Sequence, residues 1–345
     1  MAYGTINADL MTTSDGVSSS GLYGFKNRII NGAMVIDQRN AGASVTNTTS
    51  NLYTLDRWAC LGSQSSKFTI QQNANSITPP VGFVNYLGCT SSSAYTVGSG
   101  DYFQINQIIE GYNIADLGWG TANAKTITLS AWVYSSLTGT FGGALRNSGS
   151  ARCYPFIYTI SSANTWTQVS ITIVGDTSGT WLTTNGHGIQ VVFSLGMGST
   201  YSGTAGVWAS SNYASATGAV SVVGTNGATF YITGVMLEKG STATSFDYRP
   251  YSAELAMCQR YYQRSNLFRS GSYYASSATT VRSGAYQFVA TMRAAPSITF
   301  TSTSFNNASG ISTDGIEVSH FQTYCNTLGA GAFTWEAVIQ ASAEL

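Results

Sequence analysis

Residues 229–264, TFYITGVMLEKGSTATSFDYRPYSAELAMCQRYYQR, constrain the fold more than any other stretch of this 345-residue chain. Phe230, Ile232 and Met236 alternate with Tyr231, Val235 and Leu237, so apolar side chains lie on both faces of one ribbon. Such a strand belongs inside a sheet covered on both sides; a half-wet strand would alternate apolar with polar. Gly240-Ser241-Thr242 ends the ribbon, and Phe246, Tyr248 and Pro250 carry an extended connector. Ser252 then offers an N-cap, with Glu254 in the first turn, for a helix over 252–264. Leu255, Cys258 and Tyr262 fall on one stripe of it. The stretch therefore closes one domain and hands over to the next, with Phe246, Tyr248, Leu255, Cys258 and Tyr262 expected to hold the two together. In the connector, period-two geometry predicts that Phe246 and Tyr248 press inward while Asp247 and Arg249 face solvent.

Alternation recurs along the chain. In 125–134, Ile127, Leu129, Ala131 and Val133 point one way and Thr128, Ser130, Trp132 and Tyr134 the other, a strand with one core face. Residues 165–174 and 189–195 repeat the device, and weaker candidates lie at 67–72, 84–87, 102–109 and 156–160. Turn pairs such as Asn185-Gly186 and Asn226-Gly227 separate several of these, as adjacent antiparallel strands require. About eight such strands imply a two-sheet sandwich of jelly-roll type. Beyond it, Tyr286, Phe288, Ala290 and Met292 alternate, as do Ile316, Val318 and His320, and then Phe333, Trp335, Ala337 and Ile339. About five strands there would form a small second β unit, marginal alone and better supported in an oligomer. The expected class is thus all-β. An N-terminal arm (1–25) precedes a jelly-roll β-sandwich (26–250), a short connector helix (251–265) and a small C-terminal sandwich-like β-domain (266–345). The arm is rich in Thr, Ser and Gly, and its apolar anchors, Ile6, Leu10, Leu22 and Tyr23 among them, are too scattered for a core.

Two blocks carry a family resemblance. NRIINGAMVIDQRNAGAS at 27–44 with YTLDRW at 53–58, and GVMLEKGSTATSFDYRPYSAELAMCQRYYQR at 234–264, resemble segments of phage and prophage virion proteins of the tail-fibre and structural class. In those proteins the blocks bracket a carbohydrate-binding-module-like jelly roll. The resemblance spans roughly 26–264 and brings no ligand or catalytic residue with it. It implies a virion structural protein on the tail or capsid exterior, assembled in the host cytoplasm. The implied role is that of a tail fibre or receptor-binding appendage that adheres to host surface glycan. A capsid decoration or tail-adaptor protein that binds only other virion proteins is the alternative, and a glycan depolymerase the lesser one. Appendage symmetry, the marginal terminal unit and the apolar helix together imply a homotrimer, with the arm attaching to other virion proteins.

Composition narrows the chemistry. Fifteen basic residues balance fifteen acidic ones, and only 9% of residues are charged, so neither nucleic acid nor an anionic membrane surface is an expected partner. No apolar run is long enough for membrane insertion, and the start MAYGTINADLMTT lacks a basic n-region. Cys60, Cys89, Cys153, Cys258 and Cys325 show no CxxC pair, which favours reduced, buried thiols over zinc. His187 reads as a turn residue and His320 as a strand end, and with only two histidines neither a metal centre nor a serine triad has its parts. No cofactor, metal or catalytic residue is expected. Asp101, Glu110, Asp116 and Asp176 read as turn-forming acids rather than a glycosidase pair. Sugar binding needs less: an aromatic face with amides and hydroxyls around it. Tyr112 and Trp119, then Tyr201, Trp208 and Tyr213, and the loop candidates Tyr273 and Tyr274 offer that composition.

Overall fold

A computed structural model describes residues 26–282 and 284–345 of the chain, so the arm expected at 1–25 lies outside the described residues. The chain divides into two compact units at Arg249/Pro250.

Among the described residues, the first unit contains fourteen strands. In chain order they are β1 (Val45–Thr46), β2 (Leu52–Leu55), β3 (Trp58–Gly62), β4 (Phe68–Gln72) and β5 (Leu87–Ser91). Next come β6 (Tyr102–Glu110), β7 (Ile127–Ser135), β8 (Gly139–Arg146), β9 (Cys153–Ile160) and β10 (Thr167–Ile173). The last are β11 (His187–Met197), β12 (Ser202–Gly203), β13 (Ser215–Ala216) and β14 (Thr229–Lys239). Twelve of them form two six-stranded sheets, β1-β4-β5-β14-β7-β10 and β2-β3-β6-β11-β8-β9. Every pairing in both sheets is antiparallel, and neighbours distant in sequence interleave. This is the jelly-roll β-sandwich that the alternation predicts.

One core lies between the sheets. From the first sheet come Phe68, Ile70, Leu129, Val133, Phe230 and Ile232, and from the second Trp58, Phe103, Ile105, Phe141, Val191 and Phe193, all buried. Phe141 and Phe230 stack across the gap with ring centroids 5.9 Å apart. Cys60 and Cys89 also sit here, and burial pushes the Cys60 thiol up to about 12, which leaves it unreactive at neutral pH. All five cysteines are buried. Central β14 is buried on both faces, as its sequence predicts. Its neighbour β7 differs from expectation, because Thr128, Ser130 and Tyr134 on its outward face are buried too. Tyr134 is covered by a second, smaller cluster outside the sheet, where Tyr86, Tyr134 and Tyr231 pack with Trp166 and Tyr134 stacks on Tyr231 at 5.1 Å, while Thr128 Oγ1 donates to the Gly240 carbonyl.

The two sequence blocks meet in space. Lys26 Nζ donates to the Ser245 carbonyl, Arg28 N to the Leu237 carbonyl, and Asn27 Nδ2 to the Val235 carbonyl. Gly32 is required at this seam, since a Cβ there would lie 2.2 Å from the Val235 carbonyl oxygen, whose own amide nitrogen donates to Gly32 O. Downstream, Asn31 Nδ2 bonds the carbonyls of Ile36 and Asp56, its Oδ1 takes the Ile36 N–H, and its carbonyl receives Trp58 Nε1. The blocks are thus a buried polar clasp that seals the ends of the sandwich.

Asp247 and Arg249 belong to that clasp, contrary to the expectation that they face solvent. Asp247 Oδ2 accepts from Asn27 N at 3.2 Å, and Arg249 donates to the carbonyls of Ile29 and Asn27. Phe246 is half-buried, and Tyr248 is 58% exposed. Both rings lean on Phe83, at 5.1 and 5.6 Å, and so pack within the first unit. The backbone groups of Asn27 and Ile29 lie on the side that Asp247 and Arg249 face, and the two rings find Phe83 instead.

The second unit begins with helix α1 (Tyr251–Gln259). It is shorter than the expected 252–264, and Pro250 rather than Ser252 holds the N-cap position without a side-chain cap. Tyr262 is already in strand β15 (Tyr262–Ala275), so it shares no helical stripe with Leu255 and Cys258; Cys258 is buried and Leu255 half-buried. The remaining strands are β16 (Thr280–Arg282), β17 (Tyr286–Gln287), β18 (Ser297–Asn306), β19 (Ala308–Asp314), β20 (His320–Thr327) and β21 (Gly331–Ser342). β21 shows the predicted alternation, with Phe333, Trp335, Ala337 and Ile339 buried. It lies between β15 and β18, while β20 pairs with β16, β17 and β19. Phe288, Met292, Phe321 and Ile339 form the core between these sheets. Residues 316–319 are irregular rather than the predicted strand.

Candidate functional site

On the outer face of the second sheet, the polar half of the strand alternation builds a groove. In β6, Phe103 and Ile105 point into the core, so Gln104 and Asn106 point out. In β11, Val191 and Phe193 point in, and Gln190, Val192 and Ser194 point out; in β8, Leu145 points in and Arg146 out. Register then places Ser194 beside Gln104, Val192 beside Asn106 and Gln190 beside Arg146. Segment 198–216 crosses this face: β12 pairs with β13, and Ala209 bridges to Cys153. Gly142 makes room for it, since a Cβ there would come within 2.4 Å of Ser215 Oγ. What stays open is a groove of about 220 Å³ lined by Leu61, Tyr102, Gln104, Arg146, Tyr201, Asn212 and Ala214.

Its rim is aromatic and its floor is amide. Tyr102 and Tyr201 meet edge to face at 5.3 Å. Arg146 donates through Nε (3.0 Å) and Nη2 (2.7 Å) to Gln190 Oε1, and through Nη1 to Asn212 Oδ1 at 2.7 Å. Gln190 Nε2 donates onward to Asn106 Oδ1 at 3.1 Å. Gln104 Nε2 and Asn106 Nδ2 are buried with no hydrogen-bond partner among the described residues. An unmet buried donor costs about 1–3 kcal/mol; Gln104 lines the groove, and Asn106 lies behind it, bonded to Gln190.

Of the seven aromatics put forward from sequence, Tyr201 lines this groove. Trp119 and Trp208 do not: with Trp181 they form an edge-to-face cluster, centroids 4.7–5.6 Å apart, plugging the sandwich. Their N–H groups are taken by backbone carbonyls, Trp119 Nε1 by Lys125 and Trp208 Nε1 by Val174. Tyr213 packs its ring on the backbone of Gly203. Tyr112 is 61% exposed, in a turn (Gly111–Asn113) away from the groove lining. Tyr273 and Tyr274 lie in β15 rather than in a loop, and their side chains lie outside the described residues. Sequence reasoning missed Tyr102, Gln104, Arg146 and Asn212. The readable signal was the outward amide pair in Phe-Gln-Ile-Asn of β6, an odd choice for a merely wetted face.

The acids have structural work. Asp101 takes bonds from Ser63 Oγ, Tyr95 OH and Gly98 N, and these, the Ser63 bond foremost, hold its carboxyl below the usual range. Burial would raise Asp116, but Arg28 and Lys239 outweigh it and hold it low. Asp176 pairs with Arg152 at 2.5 Å. None of these lines the groove, and no group of three or more potential metal ligands occurs among the described residues.

His187 begins β11 instead of lying in a solvated turn, with Nε2 unpartnered and the ring half-buried. Burial, and after it the charge of Arg146, hold its pKa down to about 4 against the ordinary 6.5. Between those values the unfolded chain takes up a proton that the folded ring refuses, so stability is lost as pH falls from about 6.5 toward about 4. With allowance for partial exposure the loss is about 2 kcal/mol. Urea unfolding of wild type and His187→Gln at about pH 7 and about pH 4.5 checks it: the variant should lose less stability, and parallel losses would contradict this origin.

No protein-family model matches the chain, and no curated protein matches it. Solved structures that resemble it include the enzymatically active domain of tailspike protein 4 from bacteriophage CBA120, at 11% identity and TM-score 0.32, covering 54% of this chain and 20% of that one. Another is a CBM4 structure, at 14% identity and TM-score 0.31, covering 61% and 98%. A third is the family 11 carbohydrate-binding module of a cellulosomal cellulase from Clostridium thermocellum, at 10% identity and TM-score 0.27, covering 57% and 98%. The matched region is about a fifth of the tailspike chain's length.

Proposed function

We propose that the protein is a glycan-binding protein whose sugar site is the groove on the outer face of the second sheet, and that it serves as an adhesive appendage of a phage virion. The observation that carries the binding reading is the pairing of an aromatic rim, Tyr102 and Tyr201, with the lining amides Gln104 and Asn212 and with Arg146, Gln104 Nε2 lacking an acceptor. Tyrosine faces cover the apolar side of a pyranose, and side-chain amides match its hydroxyls. At about 220 Å³ the groove is smaller than sites that enclose a whole drug-sized ligand, ~300–1,000 Å³. It therefore suits a single residue of a longer glycan, with affinity gained by multiple copies on one particle. Binding without hydrolysis is favoured because no Asp or Glu lines the groove, whereas glycosidic cleavage needs a carboxylate pair across the bond. The virion assignment, the attachment through 1–25 and the homotrimer are supported by the resemblance of the blocks at 27–58 and 234–264.

Affinity electrophoresis of the full chain through gels containing a panel of bacterial surface glycans tests the binding reading. Wild type should be retarded by at least one, and Tyr201→Ala or Tyr102→Ala should weaken that retention by about tenfold, the loss of one stacking contact. Retention by no glycan, together with capture of the protein on purified particles, would favour the adaptor role; release of reducing sugar would favour a depolymerase.

A further inference from the structure

We propose that the groove selects a glycan bearing an oxyanion, foremost the carboxylate of an acidic sugar, and that Arg146 receives it. This rests on the glycan-binding reading and sharpens it. The polar network in and behind the groove runs out of acceptors before it runs out of donors. A guanidinium has five N–H groups; Arg146 commits Nε, one on Nη2 and one on Nη1 to Gln190 and Asn212, which leaves one on each Nη. Gln190 turns its own donor to Asn106 Oδ1, and Asn106 Nδ2 and Gln104 Nε2 then end the row unpaired. A ligand that completes this network must bring acceptors.

Charge points the same way. Arg28, Arg152 and Arg249 each sit beside a carboxylate. Arg146 makes no such pair among the described residues, and its hydrogen-bonding acceptors are the neutral amides of Gln190 and Asn212. Glu110, opposite His187 in the β6–β11 ladder, is engaged elsewhere. Burial lowers the Arg146 pKa, and its field helps keep His187 neutral, as expected of a cation with no anion beside it. A neutral sugar offers hydroxyl acceptors but no charge to offset that desolvation, whereas a carboxylate brings both the charge and a pair of acceptors for the two remaining N–H groups.

The test is retention of the full chain in gels containing polygalacturonate, its methyl ester, dextran sulfate or dextran, run for wild type, Arg146→Gln and Arg146→Lys. Thermal unfolding confirms that each variant is folded. Expected is retention by polygalacturonate that falls about tenfold or more on methyl esterification and in Arg146→Gln, with Arg146→Lys between, since it keeps the charge and loses the fork. Retention by dextran sulfate alone, lost in Arg146→Gln, would uphold the oxyanion and make a sulfate ester its source. Retention by the methyl ester or dextran equal to that by the charged polymers, or unchanged in Arg146→Gln, overturns the proposal while leaving glycan binding intact. Retention by none of the four, with none by any other glycan, overturns both.

Discussion

Asn27→Ala should lower the unfolding free energy by about 3–5 kcal/mol, the size of effect expected when several buried polar groups lose their partners at once. Asn27 is 1% exposed and lies in an irregular segment, yet it closes the sandwich. Its Nδ2 donates to the Val235 carbonyl at 3.1 Å, and its Oδ1 accepts from Ile29 N at 3.0 Å and Leu237 N at 3.1 Å. Truncation strands one carbonyl and two amides against central β14, where no solvent reaches. In a unit of this size the melting temperature should fall by roughly 10 °C. Urea unfolding measures it directly, and a loss under about 1 kcal/mol would mean that 26–36 is peripheral to the fold.

Arg249→Ala should cost about 3 kcal/mol, and Tyr248→Ala no more than about 1, reversing what the connector's sequence predicts. The Arg249 side chain is 11% exposed and serves the carbonyls of Ile29 and Asn27, while Asp247 holds the Asn27 amide. Removing the guanidinium leaves two carbonyls and a part-buried carboxylate without their cation. Tyr248, 58% exposed, loses mainly its contacts with Phe83 and Phe246. Limited proteolysis reads the same ranking: cleavage within 240–250 should accelerate in Arg249→Ala and barely change in Tyr248→Ala. The opposite order would restore the aromatic anchor.

The strands that sequence makes legible are those whose partners demand strict alternation. β14 is apolar on both faces because β5 and β7 flank it and packing covers both sides; β21 alternates because one face meets a core. β8 was not legible. Its glycines break any propensity pattern, yet Gly143 abuts the Val192 carbonyl and Gly142 leaves space for Ser215, contacts defined only once other strands are in place. Similarly, the clasp residues Asn27, Asn31 and Arg249 read as loop polarity, because their partners are backbone groups, in two cases more than 200 residues away. The groove suffered the reverse error. Trp119 and Trp208 have the composition of a sugar platform but pack in and against the core, while the amides and the arginine that shape the site read as ordinary strand exterior.

Chemical-shift mapping of the full chain, titrated with the glycan that retains it most strongly, tests most directly whether the groove is the sugar site. The largest changes should fall on the side-chain amides of Gln104, Asn106 and Gln190 and on the rings of Tyr102 and Tyr201. Changes confined to Tyr112, to the Trp119–Trp181–Trp208 cluster or to residues 250–345 would contradict it.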